Sequence, residues 1–197
     1  QLSAPNVVFQ SVFFLDTLRG WVCGDSGKIL ATTNGGIEWQ QQIGDRNMLV
    51  NDIYLFPSGV GWAGGGYGPA TAFLRTTNFG SQWDSISDIR LSQFSFLNDS
   101  LGWAVALGDT RYWRTTDGGR TWTTSYVDTM RLGTSTQVSF LGESDISMDV
   151  VDQNTIFISY YQMGTSSTNS ILKLAKSTDG GVTWIITTVD PRTGNRG

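Results

Sequence analysis

The sequence predicts an all-β protein, a β-propeller built from four-stranded antiparallel blades. A motif with the pattern Ser/Thr-x-Asp/Asn-x-Gly-x-x-Trp occurs four times, at residues 32–39, 76–83, 115–122 and 177–184. A Gly-Trp pair precedes each of the first three motifs, and its tryptophans recur at a constant spacing of 41 residues (62 − 21 and 103 − 62). A period of about 40–45 residues that divides into four short strands is typical of a propeller blade.

The third repeat shows how each unit divides into strands. Residues 93–96 alternate polar and apolar side chains, as a half-buried strand does, and residues 103–107, 111–115 and 121–126 are rich in β-branched and aromatic residues. The fourth repeat carries an insertion and has no Gly-Trp pair. We therefore predict one domain over residues 1–197, a partial propeller. Its four blades span about 7–45, 46–88, 89–130 and 131–190.

The four motifs, here called the Asp boxes, predict the hairpin between the third and fourth strands of each blade. The Asp or Asn side chain accepts backbone N–H groups within such a turn, glycine supplies the positive φ, and the tryptophan packs back over the hairpin with a local partner for its indole N–H. We interpret the key residues of the boxes as structural. They are Asn34, Trp39, Asn78, Trp83, Asp117, Trp122, Asp179 and Trp184.

Composition excludes several classes of function. The formal net charge of -4 and a pI near 4.6 argue against a nucleic-acid partner, which requires a concentrated positive surface. The chain has no histidine, which rules out Ser-His-Asp catalysis and imidazole-ligated metals. Its single cysteine, Cys23, has no partner for a disulfide or a metal site, so we expect no metal and no cofactor.

The sequence also shows no pattern typical of a membrane span or a signal peptide. No stretch reaches the ~18 consecutive apolar residues of a membrane span. The segment that begins at Gln1 lacks the basic and long apolar regions of a signal peptide. Either a cytosolic chain or a processed, extracytoplasmic one fits this beginning, and we expect the second.

These motifs together resemble the BNR/Asp-box propellers, above all the photosystem II assembly and stability factor family and its secreted bacterial relatives. The likeness covers residues 7–190. It implies a non-catalytic propeller outside the cytoplasm that assists a membrane protein through a basic surface. Asp boxes also occur in sialidases, xyloglucanases and sortilin-type receptors, so the resemblance specifies the fold better than the function.

Three cations match the basic surface that the resemblance implies. Arg75, Arg114 and Lys176 stand immediately before three of the boxes, whereas Ala31 occupies that position in the first. Equivalent positions on successive blades form an arc, which favours an acidic protein partner. The alternative is that these cations are solvated strand residues or local partners of turn carboxylates.

Four repeats are fewer than the propellers of these families usually contain. The chain is then a segment of a longer propeller, one of two copies that complete a ring, or a closed ring of four blades. An open ring exposes strand edges, which closure removes. We expect a segment of a larger ring, or a ring completed by a partner.

An enzymatic function requires acidic side chains in a suitable arrangement. The arginine triad and the nucleophile pair of a sialidase cannot be assembled from this sequence. An inverting glycosidase needs only two carboxylates on opposite sides of the scissile bond. Asp52, Asp145 and Asp149 are the candidates, and the alternative for each is a solvated turn carboxylate.

Aromatic residues provide the candidate binding surface. Tyr67 lies in a glycine-rich loop, and Tyr160 and Tyr161 precede the polar stretch 163–169 of the fourth repeat. Tyrosines beside Gly, Ser and Asn suit protein or glycan recognition, although packing between blades is the alternative. We predict a non-catalytic scaffold that binds a protein partner outside the cytoplasm, with a glycoside hydrolase or a lectin-like glycan-binding propeller as the second possibility.

Overall fold

The computed structural model describes residues 7–43, 48–65, 73–87, 89, 91, 93–106, 111–127, 146–163 and 170–189, with the backbone alone at 87, 161–163 and 170. The strands form four separate four-stranded antiparallel sheets, each built from four strands consecutive in sequence. The prediction of four antiparallel blades in this chain is confirmed. Among the described residues, no helix is both long and apolar enough to span a membrane.

Each blade is a meander whose strands lie in chain order. The first contains β1 (Phe9–Phe14), β2 (Gly20–Gly24), β3 (Ile29–Thr32) and β4 (Gln40–Ile43), with a 3-10 turn at Asp25–Gly27. The second contains β5 (Asp52–Leu55), β6 (Gly61–Gly64), β7 (Phe73–Thr76) and β8 (Asp84–Ser87). The third contains β9 (Gln93–Phe96), β10 (Gly102–Val105), β11 (Arg111–Thr115) and β12 (Thr123–Tyr126). The fourth contains β13 (Ile146–Val150), β14 (Ile156–Met163), β15 (Ser170–Ser177) and β16 (Ile185–Val189).

The turn between the first and second strands repeats the same side-chain device in three blades. Asp16, Asn98 and Asp152 each accept backbone N–H groups from the residues two and three positions ahead. This Asx turn closes the hairpin without requiring a glycine. The second blade uses the Ser58 hydroxyl, which accepts the Val60 N–H at 3.3 Å.

The apolar core consists of three clusters, each shared by two consecutive blades. The second strands of the first three blades are buried on both faces, and the first strands of neighbouring blades approach each other, β1 with β5 and β9 with β13. Burial between blades supplies the main stabilising free energy, because no single thin sheet buries both of its faces.

Each interface between blades receives one indole from either side. Trp21, Trp62 and Trp103, from the Gly-Trp pairs, pack toward the next blade. The box tryptophans Trp83, Trp122 and Trp184 pack against the preceding blade. The Gly-Trp indole of one blade also donates to the box of the next, from Trp21 to the Phe79 carbonyl at 3.3 Å and from Trp62 to the Gly118 carbonyl at 2.9 Å. The boxes therefore join neighbouring blades as well as closing their own hairpins.

The hydrogen bond expected between each box tryptophan and its own hairpin occurs in the first box. Trp39 donates its N–H to the Gly36 carbonyl of its own hairpin at 3.1 Å. Trp83 donates instead across the blade interface to Gln42 at 3.2 Å. The buried indole nitrogens of Trp122 and Trp184 have no hydrogen-bond partner within the described part of the chain. Trp83, Trp122 and Trp184 differ from Trp39 because their rings face the preceding blade.

Candidate functional site

The first strands of all four blades line one cavity, which we call the inner cavity. Its volume is about 390 Å³, within the usual range for a small-molecule or side-chain pocket. The described lining includes three residues with hydroxyl groups, one carboxylate and several aromatic residues. The described lining residues are Ser11, Val12, Phe13, Asp52, Ile53, Tyr54, Phe94, Ser95, Phe96 and Val150. Because successive side chains of a strand point to opposite faces, Asp52 and Tyr54 lie on one face of β5, whereas Ile53 points to the other face and is buried.

Asp52 is the charged residue of the described cavity lining. It begins β5, and its Oδ1 accepts the Ile53 N–H at 2.9 Å and the Ser11 hydroxyl of the neighbouring blade at 3.3 Å. Burial raises the pKa of the Asp52 carboxyl above its ordinary value, although both hydrogen bonds act in the opposite direction. The protein thus holds a carboxylate in a site that disfavours its charge.

Cys23 lies close to Asp52 but is not a reactive thiol. Its side chain is fully buried in β2. Burial, reinforced by the nearby Asp52 charge, raises the pKa of the thiol to about 12. Because thiolate is the nucleophilic form, Cys23 acts as a small apolar residue of the core.

Aromatic rings form the wall of the cavity next to Asp52. The Tyr54 ring lies 4.9 Å from that of Phe13 and 5.1 Å from that of Phe56, measured between centroids. Tyr54 keeps 36% of its surface exposed, whereas Phe94 and Phe96 are buried. The Tyr54 ring is therefore accessible to a molecule bound in the cavity.

The three predicted cations occupy equivalent positions but differ in exposure. Arg75 is 8% exposed and packs against Gly118 of the third box. Burial lowers its pKa, and its Nε has no hydrogen-bond partner within the described residues. The next blade covers the Arg75 side chain, which leaves this residue poorly placed for the predicted arc of three cations that meets an acidic partner.

The other two cations lie over aromatic rings. The Arg114 guanidinium is 5.6 Å from the centroid of Trp103, its partner across β10 and β11. The Lys176 ammonium is 5.5 Å from the ring of Phe157, its partner across β14 and β15. Cation–π contacts account for both positions within a single blade. Lys176 is exposed and Arg114 partly buried, so a basic surface on these blades consists of at most two residues from the predicted set.

The predicted tyrosines and carboxylates are dispersed. Tyr160 is 5% exposed and packs in the core between the third and fourth blades, so the prediction that it is a surface aromatic is wrong. Tyr161 has a described backbone in β14 only, and Tyr67 and Asp145 lie outside the described residues. Asp149 is exposed on β13 and is not among the described residues that line the inner cavity. Of the predicted carboxylates, Asp52 is therefore the one found among the described lining residues.

The boxes share one hydrogen-bond network. A buried Ser or Thr hydroxyl at the first position donates to the Asp or Asn side chain and accepts the N–H of the last box glycine, as Thr32 does with Asn34 and Gly36 at 2.9 Å each. The same bonds recur in the other three boxes. These polar atoms satisfy one another, so the boxes stabilise the fold.

Two boxes carry aspartate, and both have a threonine four residues later. The Thr121 hydroxyl donates to Asp117 Oδ2 at 2.7 Å, and Thr183 donates to Asp179 in the same way. The boxes that carry asparagine have Glu38 and Gln82 at this position. An amide has no second oxygen to accept that hydroxyl, which explains the pairing of Asp with Thr.

Acid should destabilise the two aspartate boxes. Hydrogen bonds from Thr121 and Thr183 hold the pKa of Asp117 and of Asp179 at about 2, although burial opposes this at Asp117. Because these pKa values are lower in the folded state, the stabilisation is complete above the ordinary value of 3.8 and is lost as the pH falls through about 2. Asp179 is exposed and Asp117 is half-buried, so solvent screens both carboxylates and we expect a change of a few degrees in melting temperature.

The double variant Asp117→Asn/Asp179→Asn provides the comparison, because Asn34 and Asn78 already serve the same turn in the other boxes. The wild type should melt higher than the variant near neutral pH, and the gap should close between about pH 4 and pH 2. A gap that stays constant over this range, measured by circular dichroism, would contradict a role for the two carboxylates.

The four radially arranged antiparallel blades joined through their boxes define this chain as a β-propeller. No protein-family profile and no curated protein sequence matches it. Among solved structures, it is similar to YCF48 from Cyanidioschyzon merolae, with 17% identity, a TM-score of 0.61, and coverage of 98% of this chain and 76% of that one. It is also similar to YCF48 bound to a D1 peptide, with 17% identity, a TM-score of 0.50, and coverage of 96% and 83%.

A third similar structure is that of an enzyme. The GH74 xyloglucanase from Xanthomonas campestris is 17% identical, with a TM-score of 0.60, and the match covers 96% of this chain but 31% of the enzyme. Similarities at this level of identity establish the fold. They confirm the predicted β-propeller, and the longer chains of all three structures are consistent with four blades of a larger ring.

Sequence reasoning missed the inner cavity as a unit. Asp52 was identified as a candidate carboxylate, but Ser11 and Tyr54 were not identified as its neighbours. The available signal was the position of each residue in the first strand of its blade, since first strands of successive blades converge on the axis of a propeller.

Proposed function

We propose that this propeller is a non-catalytic scaffold that binds a segment of a partner protein in the inner cavity. The observation that carries the proposal is the described lining of that cavity, in which hydroxyl groups, aromatic residues and one carboxylate from the first three blades, with Val150 of the fourth, border a space of about 390 Å³. Binding pockets usually carry a few convergent polar groups that orient the bound molecule.

The chemistry of the lining favours binding over hydrolysis. Hydrolysis of a glycosidic bond by an inverting mechanism uses two carboxylates that face each other across the substrate. Among the described lining residues, Asp52 is the carboxylate, and Asp149 is exposed elsewhere on β13. This favours recognition as the role of Asp52.

A peptide segment is the favoured class of partner. YCF48, which has the same fold, has been solved with a D1 peptide bound, so a propeller of this architecture accommodates a peptide. Tyr54 supplies an accessible aromatic side chain beside hydrogen-bonding groups, a combination common in protein-recognition sites. The proposal includes a location outside the cytoplasm, which follows from the family resemblance seen in the sequence.

Site-specific photocrosslinking tests this proposal. We expect p-benzoyl-phenylalanine at Val12, which lines the cavity and is 62% exposed, to capture partner proteins in the native host or in a displayed peptide library. The same probe at Ile37, which is 79% exposed on the first box and not part of the described lining, is the matched control. Equal capture at the two positions would show that the cavity has no special role.

A glycan-binding or glycosidase function is the second candidate. It is favoured by the combination of Tyr54 with a carboxyl group whose pKa is raised by burial, as a general acid requires. Incubation with xyloglucan oligosaccharides, followed by measurement of binding and of released reducing ends, tests this function. Release that is lost in Asp52→Asn would replace the scaffold proposal with a hydrolase.

A further inference from the structure

The inner cavity contains a carboxylate that the described part of the chain does not neutralise. No lysine or arginine is among the described residues that line the cavity, and burial is the largest influence on the Asp52 pKa, with no cation acting on it. Asp52 is half-buried, and removing a carboxylate even partly from water without a nearby cation disfavours its charged form. The site is therefore electrostatically incomplete.

The two carboxylate oxygens of Asp52 differ in the number of hydrogen bonds that they accept. Oδ1 accepts both the Ile53 N–H and the Ser11 hydroxyl. Within the described residues, no hydrogen bond reaches Oδ2. A carboxylate oxygen accepts more than one donor, and a charged donor gives the strongest bond. Asp52 thus retains the capacity to bind an incoming cationic group.

The other residues of the cavity lining favour an organic cation over a metal ion. The rings of Phe13 and Tyr54 lie beside the carboxylate, and the faces of such rings attract ammonium groups. A divalent metal requires several oxygen or nitrogen ligands at once. The described residues contain no group of three or more Asp, Glu, His or Cys side chains that could hold a metal ion. An organic ammonium group fits this combination of carboxylate and rings better than a metal ion.

We propose that the inner cavity binds an alkylammonium group, which pairs with the Asp52 carboxylate and packs against the rings of Phe13 and Tyr54. The group belongs to a free small amine or to a lysine side chain of a bound peptide. The lysine source rests on the proposed function, whereas the free amine does not. The binding chemistry is the same in both cases.

Benzylammonium chloride and its neutral analogue benzyl alcohol provide the first test. We expect the wild-type protein to bind the amine in isothermal titration and to bind the alcohol at least about ten-fold more weakly, since a charge-assisted bond is lost. Asp52→Asn should reduce amine affinity by about 10- to 100-fold and leave alcohol affinity unchanged. Equal affinities for the two probes, or no detectable binding of the amine, would overturn the proposal.

Two variants separate binding from folding. Asp149→Asn removes an exposed carboxylate outside the described cavity lining and should bind benzylammonium as the wild type does. Asp52→Asn should melt no lower than the wild type, because the folded state raises the pKa of this carboxyl and so disfavours its charged form at neutral pH. Tyr54→Leu keeps the carboxylate and should weaken amine binding several-fold through the loss of the ring. Unchanged amine binding in both Asp52→Asn and Tyr54→Leu would exclude the inner cavity as the site.

A capped glycine pentapeptide with one central lysine, compared with the same peptide containing norleucine, distinguishes the two sources. Tighter binding of the lysine peptide than of benzylammonium, lost in Asp52→Asn, supports both the ammonium site and the proposed function. Binding of benzylammonium without binding of either peptide supports the ammonium site and excludes a peptide lysine as the source of the ammonium group. Equal binding of both peptides in wild type and Asp52→Asn would contradict recognition of the ammonium group.

Discussion

Replacing Trp62 with alanine is expected to lower the free energy of unfolding by about 3–5 kcal/mol. The indole is fully buried between the second and third blades, stacks on Phe96 with 3.6 Å between ring centroids, and donates its N–H to the Gly118 carbonyl. The substitution leaves a cavity at this interface and removes the donor of a buried carbonyl. Chemical denaturation followed by tryptophan fluorescence and circular dichroism measures the change.

Trp62→Phe and Trp103→Phe isolate the contribution of the hydrogen bond. Both indoles are fully buried at the same position of the repeat, but the nitrogen of Trp103 has no hydrogen-bond partner in the described part of the chain. Each variant loses a similar volume, whereas only Trp62→Phe breaks an interblade bond. We expect Trp62→Phe to cost about 1–3 kcal/mol more than Trp103→Phe. Similar losses for the two would mean that the bond to Gly118 contributes nothing.

Gly181→Ala is expected to destabilise the protein by about 3–4 kcal/mol, from backbone strain and crowding together. Gly181 has a φ of 97°, and an added Cβ would lie 2.6 Å from the Tyr112 hydroxyl oxygen. That hydroxyl donates to the Gly181 carbonyl at 2.8 Å, so the substitution also disturbs the bond that joins the third and fourth blades. Thermal and denaturant unfolding of purified protein provides the measurement.

Gly36→Ala is the matched control. Gly36 occupies the same box position with a φ of 89°, but the nearest atom to an added Cβ is 3.6 Å away in Trp39. Its cost is backbone strain alone, about 1–2 kcal/mol. If Gly36→Ala proves as damaging as Gly181→Ala, the crowding against Tyr112 is not a significant part of the effect.

The blades were predictable from the sequence because the signals are local. Turn residues such as Asn98 and the box glycines specify hairpins through their own φ preferences and hydrogen bonds, independently of distant residues. The 41-residue spacing of the Gly-Trp pairs then predicts repetition. These features sufficed for the fold class and for the division into four sheets.

The environment of individual side chains was less predictable, because it depends on the neighbouring blade. Arg75 and Lys176 occupy equivalent positions, yet the third blade covers Arg75 while Lys176 stays exposed. Tyr160 lies beside a polar stretch in the sequence but enters the core through packing with the third blade. The hydrogen bond from Ser11 to Asp52 joins residues one repeat of 41 positions apart, so only the convergence of first strands, and not a local pattern around either residue, could have indicated it.

The contacts between blades have a direction. Each of the first three units presents a Gly-Trp indole on one face, and the next unit meets it with its glycine-rich hairpin, so these units join head to tail through similar joints. A tandem duplication of one unit would bring two already complementary faces together, without any compensating substitution. We therefore expect a chain of this kind to change length most readily by whole modules.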